Sequence, residues 1–484
     1  MLATIMQALD TTIANVALPS MQGAMSATQD QISWVLTSYI VAAAIFTPLT
    51  GVLAGRLGRK QVFVVSVVGF TIASMLCGAS TSLTEIVIFR LLQGVFGAGL
   101  VPLSQAILLD TYPVARHGSA MAIWGLGVMV GPILGPSLGG YLTEYYNWRW
   151  VFYINLPVGL LALLGIMTSV PKSSAGRQHQ FDYPGFIFLS IAIGALQLML
   201  DRGQSLDWFS SNEVVIEAVA TGLFLYMFLV RMFTADNPFI EPGLFTDRNF
   251  VVGLMFIFVI GTTLYATLAL LPPFMQHLMG FPVITTGYIL APRGLGTMVA
   301  MIIVGRLVGR IDTRLLIVTG LGLTTLALGT MSSFTLDVSP ALLAWTGVIQ
   351  GLGFGFVFVP LSTITFMTLP PRFRTEGTAM YSLMRNIGSS IGISVVVTLL
   401  ARNTQINHAS LAANLNPFRL AQLPTDLPRL LDWTTLTGRV ALDNEVTRQA
   451  AAIAYLNDFT FVMWLTIAAI PLILLFKPSP KMTG

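Results

Sequence analysis

Four ionisable side chains fall well inside apolar runs of this 484-residue chain: Asp10, Arg90, Arg293 and Arg385. A charge in a bilayer interior is costly unless it faces a cavity or finds a partner. Asp10 reads as the only carboxylate well inside such a run. A carboxylate whose surroundings change as it meets first one side of a membrane and then the other can take up and release a proton, since burial and a neighbouring guanidinium act on it in opposite senses. Asp10 and Arg90 are therefore candidates for proton coupling, and a static ion pair tying two helices together is the competing reading. Arg293 follows Pro292 and either meets carbonyls freed by the proline or serves a cavity. Arg385 opens the small, polar stretch Arg385 to Gly392. Asn15, Tyr39, Gln93, Trp124, Tyr265, Met384 and Asn386, with Arg293 and Arg385, are candidate linings of a central cavity; the competing role of each is helix packing or lipid contact. The 22 methionines and 30 phenylalanines supply adaptable apolar surface, as multispecific sites use.

Other chemistries lack their residues. No Walker A or G-x-G-x-x-G phosphate loop appears, the four histidines are scattered, and Cys77 is the single cysteine. ATP binding by this chain, a Cys/His metal cluster, an internal disulfide and enzyme catalysis are not indicated, so no cofactor is expected. The formal charge of +4 is read through its distribution over loops, with no nucleic-acid partner expected. Asp110, Asp312 and Glu376 lie near helix ends and suit latches or caps. Asp201, Asp207 and Glu213 read as a solvated loop, and His277 and His408 as ordinary polar positions.

The elements that hold these residues are membrane helices. Hydrophobic residues make up 55% and charged ones 10%, against about 25% charged in soluble domains; the mean hydropathy is +0.78. Runs of about 20 apolar residues begin near Met1, Trp34, Gln61, Thr84, Gly118, Arg149, Tyr183, Val214, Phe250, Ile284, Thr313, Pro340, Gly377 and Asn457, which predicts an all-α polytopic membrane protein with fourteen transmembrane helices. The first run holds Asp10 at its middle, unlike a cleaved signal peptide, and the natural start is expected upstream of Met1. With both termini inside, the inner loops and tail hold Arg56, Arg59, Lys60, Arg116, Lys172, Arg177, Arg231, Arg248, Arg306, Arg310, Arg314, Arg372, Arg374, Lys477 and Lys481, and short outer loops only Arg149 and Arg202. The positive-inside rule then places both termini in the cytoplasm. One long outer loop is expected at about 403–456, either a linker or a docking surface.

Within the fifth run, Gly127, Gly131, Pro132, Gly135, Pro136, Gly139 and Gly140 line one face, which admits another backbone closely and is loosened by its prolines. The sequence also repeats. Gly51-Val-Leu-Ala-Gly-Arg56 recurs as Gly305-Arg-Leu-Val-Gly-Arg310, Leu92-Gln-Gly94 as Ile349-Gln-Gly351, and Arg116-His-Gly-Ser-Ala-Met121 as Arg374-Thr-Glu-Gly-Thr-Ala-Met380. Gly347 replaces Arg90 in the second copy. Parallel halves with a midplane site between them fit this pattern. The organisation expected is a six-helix bundle over 1–172, an inserted two-helix hairpin over 173–235, and a second six-helix bundle over 236–484.

These motifs resemble the major facilitator superfamily, and among its members the fourteen-helix drug:proton antiporters of the EmrB/QacA type. Leu9-Asp-Thr-Thr-Ile-Ala-Asn-Val-Ala-Leu-Pro19 resembles their first-helix signature. Gly51 to Lys60, with Arg56, Gly58 and Arg59, resembles the loop motif G-x-L-A-D-R-x-G-R-K, with Gly55 where aspartate is usual. Arg90-Leu-Leu-Gln-Gly94 resembles the proton-coupling motif, and Gly127 to Gly140 the antiporter motif. Trp148 to Pro157 and Leu200 to Phe209 look most like EmrB-type exporters. The resemblance implies a major facilitator fold, two six-helix bundles plus a hairpin, in a bacterial inner membrane. It also implies proton-motive export of hydrophobic or amphipathic compounds, with coupling at Asp10 and Arg90, and an ability to join a periplasmic adaptor and an outer-membrane channel. Export of one metabolite, lipid or siderophore is the alternative within transport, and a non-transporting sensor or scaffold the alternative outside it.

Overall fold

Short polar side chains cap several of the helices, and the apolar runs continue through internal prolines such as Pro48, Pro292 and Pro360. The computed structural model describes residues 1–171, 181–414 and 435–477. Its helices are α1 (Leu2–Ala24), α2 (Gln29–Leu57), α3 (Arg59–Ala79), α4 (Leu83–Gly97), α5 (Leu100–Thr111), α6 (His117–Tyr145), α7 (Trp150–Tyr153), α8 (Asn155–Ser169), α9 (Tyr183–Arg202), α10 (Asn212–Thr234), α11 (Arg248–Pro273), α12 (Val283–Leu307), α13 (Thr313–Met331), α14 (Pro340–Met367), α15 (Arg374–Ala412) and α16 (Leu436–Ala469). Thr28 and Gln31 form a reciprocal capping box on α2, and Ser82, Asp247 and Ser339 accept from backbone N–H groups at the starts of α4, α11 and α14. Each satisfies a donor that the helix itself leaves open.

Thirteen helical stretches among the described residues are long and apolar enough to cross a membrane, α4 running on into α5 and α7 into α8 as single spans. The 23-residue α1 is not among these, since Gln7, Asp10 and Asn15 lower its apolar character. At 1.5 Å per residue it still measures about 34 Å, enough for a hydrocarbon core of about 30 Å. With α1 the spans number fourteen.

Helices α1 to α8 pack among themselves, as do α11 to α16; the two groups meet along α6 against α12 and α2 against α15, while α9 lies against α2 and α15. Gly131, Gly135 and Gly139 of α6 face α1, where a Cβ at Gly135 would overlap Thr12 Oγ1. Thr12 donates to Gly131 O at 3.0 Å across the contact. The other side of α6 meets α12, with Gly118 against Val308 and Ile133 against Gly294. The side chains of Pro132 and Pro136 lie outside the described residues.

The interval expected as a long loop, 403–456, is different. Residues 403–412 continue α15 and 436–456 belong to α16; positions 415–434 lie outside the described residues. The 39-residue α15 and 34-residue α16 measure about 58 and 51 Å, so both extend beyond a bilayer core. Polar side chains hold the extensions together: His408 pairs with Asp443 at 3.0 Å, and Asn407 donates to Ala450 O at 3.3 Å. A helix exposed to water needs no apolar run, which is why sequence composition suggested a loop.

Candidate functional site

The deepest charges on the chain converge. Asp10, on the buried face of α1, is 2% exposed and Arg90 of α4 is 1% exposed. Arg90 Nη1 donates to Asp10 Oδ2 at 2.7 Å and to Gln93 Oε1 at 2.7 Å, and its Nε donates to Val35 O of α2 at 3.1 Å. Asp10 Oδ1 accepts from Gln93 Nε2 and from Asn155 Nδ2 of α8, each at 2.8 Å. Asn155 also donates to Ser74 Oγ of α3 at 2.9 Å. The guanidinium lies over the ring of Tyr39, 4.4 Å from its centroid, and 5.7 Å from that of Phe152. Helices α1, α4 and α8 thus meet at one carboxylate, and Arg90 and Asn155 carry the network on to α2 and α3. Glycine makes the approach possible: a Cβ at Gly94 would lie 2.5 Å from Tyr39 O, so α4 could not otherwise seat against α2.

The buried carboxylate accepts three hydrogen bonds, the one from the guanidinium charge-assisted, so both of its oxygens are engaged. When it gains a proton, the ion pair to Arg90 is lost and the acceptors of the network must rearrange. The arrangement can therefore convert a proton into a change of contact between α1, α4 and α8.

Of the candidates from sequence, Asp10, Arg90, Tyr39 and Gln93 come together here. Trp124 does not join them. It is fully buried, donates to Ser104 Oγ at 2.9 Å and stacks on Phe358 of α14 with centroids 5.8 Å apart, so it seals the seam where α6 meets α14. Arg293 is buried at 6% beside Phe354. Met384, Arg385 and Asn386 are half-buried on α15, where Gly261 of α11 approaches the Arg385 carbonyl. Asn15 and Tyr265 are exposed.

The expected inner end of the molecule is closed by charges. Asp110, at the end of α5, pairs with Arg59 at the start of α3 and with Arg374 at the start of α15, the latter at 2.8 Å. Arg59 Nε also donates to Thr375 Oγ1 at 2.7 Å. Gly51 seats against Glu376, where a Cβ would lie 3.0 Å from Glu376 Cα. A Cβ at Gly55 would meet nothing within 4 Å, so the acidic member of this cluster is Asp110. Arg56 lies over Phe181, 5.3 Å from its centroid. Gly58 ends α2 at φ +89°, a conformation that favours glycine. Asp312 caps α13 by accepting from Arg314 N at 2.9 Å.

Sequence reasoning missed three residues. Asn155 and Ser74 belong to the Asp10 network, yet an uncharged polar residue in an apolar run carries little signal. Asp458 follows the helix start read at Asn457, whereas α16 begins at Leu436; it is 0% exposed, and neither carboxylate oxygen has a hydrogen-bond partner among the described residues. Asp10 is consequently not the sole carboxylate inside the helices. Asp201, expected in a solvated loop, accepts from Thr37 Oγ1 and borders a cavity of about 220 Å³ with Gln197 and Ser394.

The chain is similar to known transport proteins along most of its length. The chain is 37% identical over 419 residues to the multidrug export protein EmrB of Escherichia coli K12, covering 86% of this chain and 82% of that protein. It is 34% identical over 480 residues to the fatty acid resistance protein FarB of Neisseria gonorrhoeae, covering 99% and 94%. Among solved structures it superposes on the human organic anion transporter MFSD10 with TM-score 0.59 at 15% identity, over 96% of this chain and 98% of that one. The proton:xylose symporter XylE gives TM-score 0.60 at 14% identity, over 95% and 94%; at such identities these two show the fold alone. The model of the Major Facilitator Superfamily matches residues 1–393, and the chain belongs to that family.

Proposed function

We propose that the protein is a proton-coupled exporter of hydrophobic and amphipathic compounds, working in a bacterial inner membrane with both termini cytoplasmic. The observation that carries this reading is the sealed Asp10 network: a carboxylate held by Arg90, Gln93 and Asn155 from two neighbouring helices. Protonation from outside frees α1 from α4 and favours return to the inward-facing state; proton release inside accompanies loading of substrate. The small-residue face of α6, with α1 on one side and α12 on the other, is the joint on which the bundles rock. The ion pairs of Asp110 with Arg59 and Arg374 support reading this end as a closed inner gate. Residues 1–172 and 236–484 form the two bundles and 173–235 the hairpin between them. The extensions of α15 and α16 offer a surface outside the bilayer for an adaptor that leads to an outer-membrane channel.

Relatives named for multidrug export and for fatty acid resistance support efflux over uptake. Export of a single lipid-like compound is the second reading, favoured by the latter name. The test uses proteoliposomes with a pH-sensitive dye inside, an imposed proton gradient and a panel of lipophilic cations and weak acids. Substrate-triggered proton flux in the wild type that disappears in a well-folded Asp10→Asn variant is expected. Flux of equal size in the variant removes Asp10 from the coupling step.

A further inference from the structure

The two bundles pack in one register but carry different chemistry in it. Thr12 of α1 donates to Gly131 O of α6 at 3.0 Å; Thr262 of α11 donates to Gly388 O of α15 at 2.9 Å. Gly94 of α4 seats against Tyr39 O of α2, and Gly351 of α14 against Arg293 O of α12. By these contacts Ile260 stands where Asp10 does, Arg293 where Tyr39 does, and Gly347 where Arg90 does. The second bundle has thus lost the carboxylate and moved its guanidinium to the adjacent helix. The space left by Gly347 accommodates it: a Cβ there would lie 3.4 Å from Arg293 Cβ.

Arg293 is buried, and neither Nη1 nor Nη2 has a hydrogen-bond partner among the described residues. Its guanidinium lies over the ring of Phe354, 5.4 Å from the centroid. One turn further along α14, Phe358 stacks on Trp124 of the first bundle, so the cation sits beside the seam between bundles. A buried unpaired charge is costly. A guanidinium with both terminal nitrogens open is matched in shape by a carboxylate, which accepts two parallel bonds. Aromatic rings beside it suit an apolar body attached to that carboxylate. Arg90, by contrast, is already occupied by Asp10 and is unavailable to an anion.

We infer that Arg293 is the recognition group for amphipathic organic monoanions, apolar molecules ending in one carboxylate, bound between the bundles when the seam opens. This rests on the export reading and names a substrate class for it: the first bundle handles the proton, the second the anion. The test is binding of labelled decanoate, with decanol as the neutral molecule of the same tail, to the full chain in detergent, measured by equilibrium dialysis. The wild type should prefer decanoate by roughly tenfold or more, the worth of a charge-assisted bond. Arg293→Gln should bind decanoate no better than decanol. Arg293→Lys, which keeps the charge but loses the fork, should lose most of the preference. Because no anion pairs with Arg293 in this state, Arg293→Gln should melt no lower than the wild type, and decanoate should raise the melting temperature of the wild type only. A wild type without preference, or a preference kept in Arg293→Gln or undiminished in Arg293→Lys, overturns the assignment. Proton flux of the wild type with the whole panel of lipophilic cations and weak acids tests the export reading separately: flux with cations alone leaves export standing without the anion assignment, and no flux with any compound removes the export reading.

Discussion

The Asp10–Arg90 pair is fully buried, and its energetics follow from the cost of leaving one ion behind. Arg90→Met strands the carboxylate of Asp10 in a dry site and should destabilise the protein by about 3–5 kcal/mol. Adding Asp10→Asn to that variant should recover most of the loss, because an amide can still accept from Gln93 and Asn155 without a net charge. Thermal melts of the two variants in detergent check this; a double variant no more stable than Arg90→Met would mean the pair does not act as a unit. Asn155→Ala should cost about 1–3 kcal/mol, since it removes a donor from Asp10 Oδ1 and a partner from Ser74. Asp10 and Arg90 were legible in the sequence because a charge inside an apolar run is conspicuous. Asn155 and Ser74 were not, because their role exists only once α8 and α3 are brought against α1.

Among the elements, α6 shows how small residues set geometry. Gly131 and Gly135 let α1 lie directly on the backbone, and Thr12 bridges the two helices. Gly135→Val must push α1 away from α6, an overpacking penalty of about 1–3 kcal/mol. The displacement also moves Asp10 relative to Arg90. A lowered melting temperature together with loss of substrate-driven proton flux is expected; normal flux from Gly135→Val would show that the close contact is dispensable. The helices themselves were mostly legible: starts read at Tyr183, Thr313 and Pro340 coincide with those of α9, α13 and α14. The exception was α16, read from Asn457 but starting at Leu436. Its first turns face water and lack an apolar run, so hydropathy locates only the membrane portion, and Asp458 goes unnoticed at the edge of that portion.

At the scale of the whole molecule, the seam between bundles is shut at one end by Asp110 with Arg59 and Arg374, and by Gly51 against Glu376. The Asp110 cluster is visible only after folding, because its residues come from α3, α5 and α15. Asp110→Asn weakens both ion pairs and should shift the population toward an open inner gate. Spin labels at Leu57 and Arg372, introduced as cysteines in a Cys77→Ala background, would report a longer distance in the variant by double electron–electron resonance. An unchanged distribution would contradict the latch. The account as a whole depends on a proton and a substrate competing through Asp10. Adding a transported lipophilic cation to purified protein in weakly buffered detergent should release protons from the wild type, whereas Asp10→Asn should bind the cation and release none. Equal proton release from the variant would contradict the account.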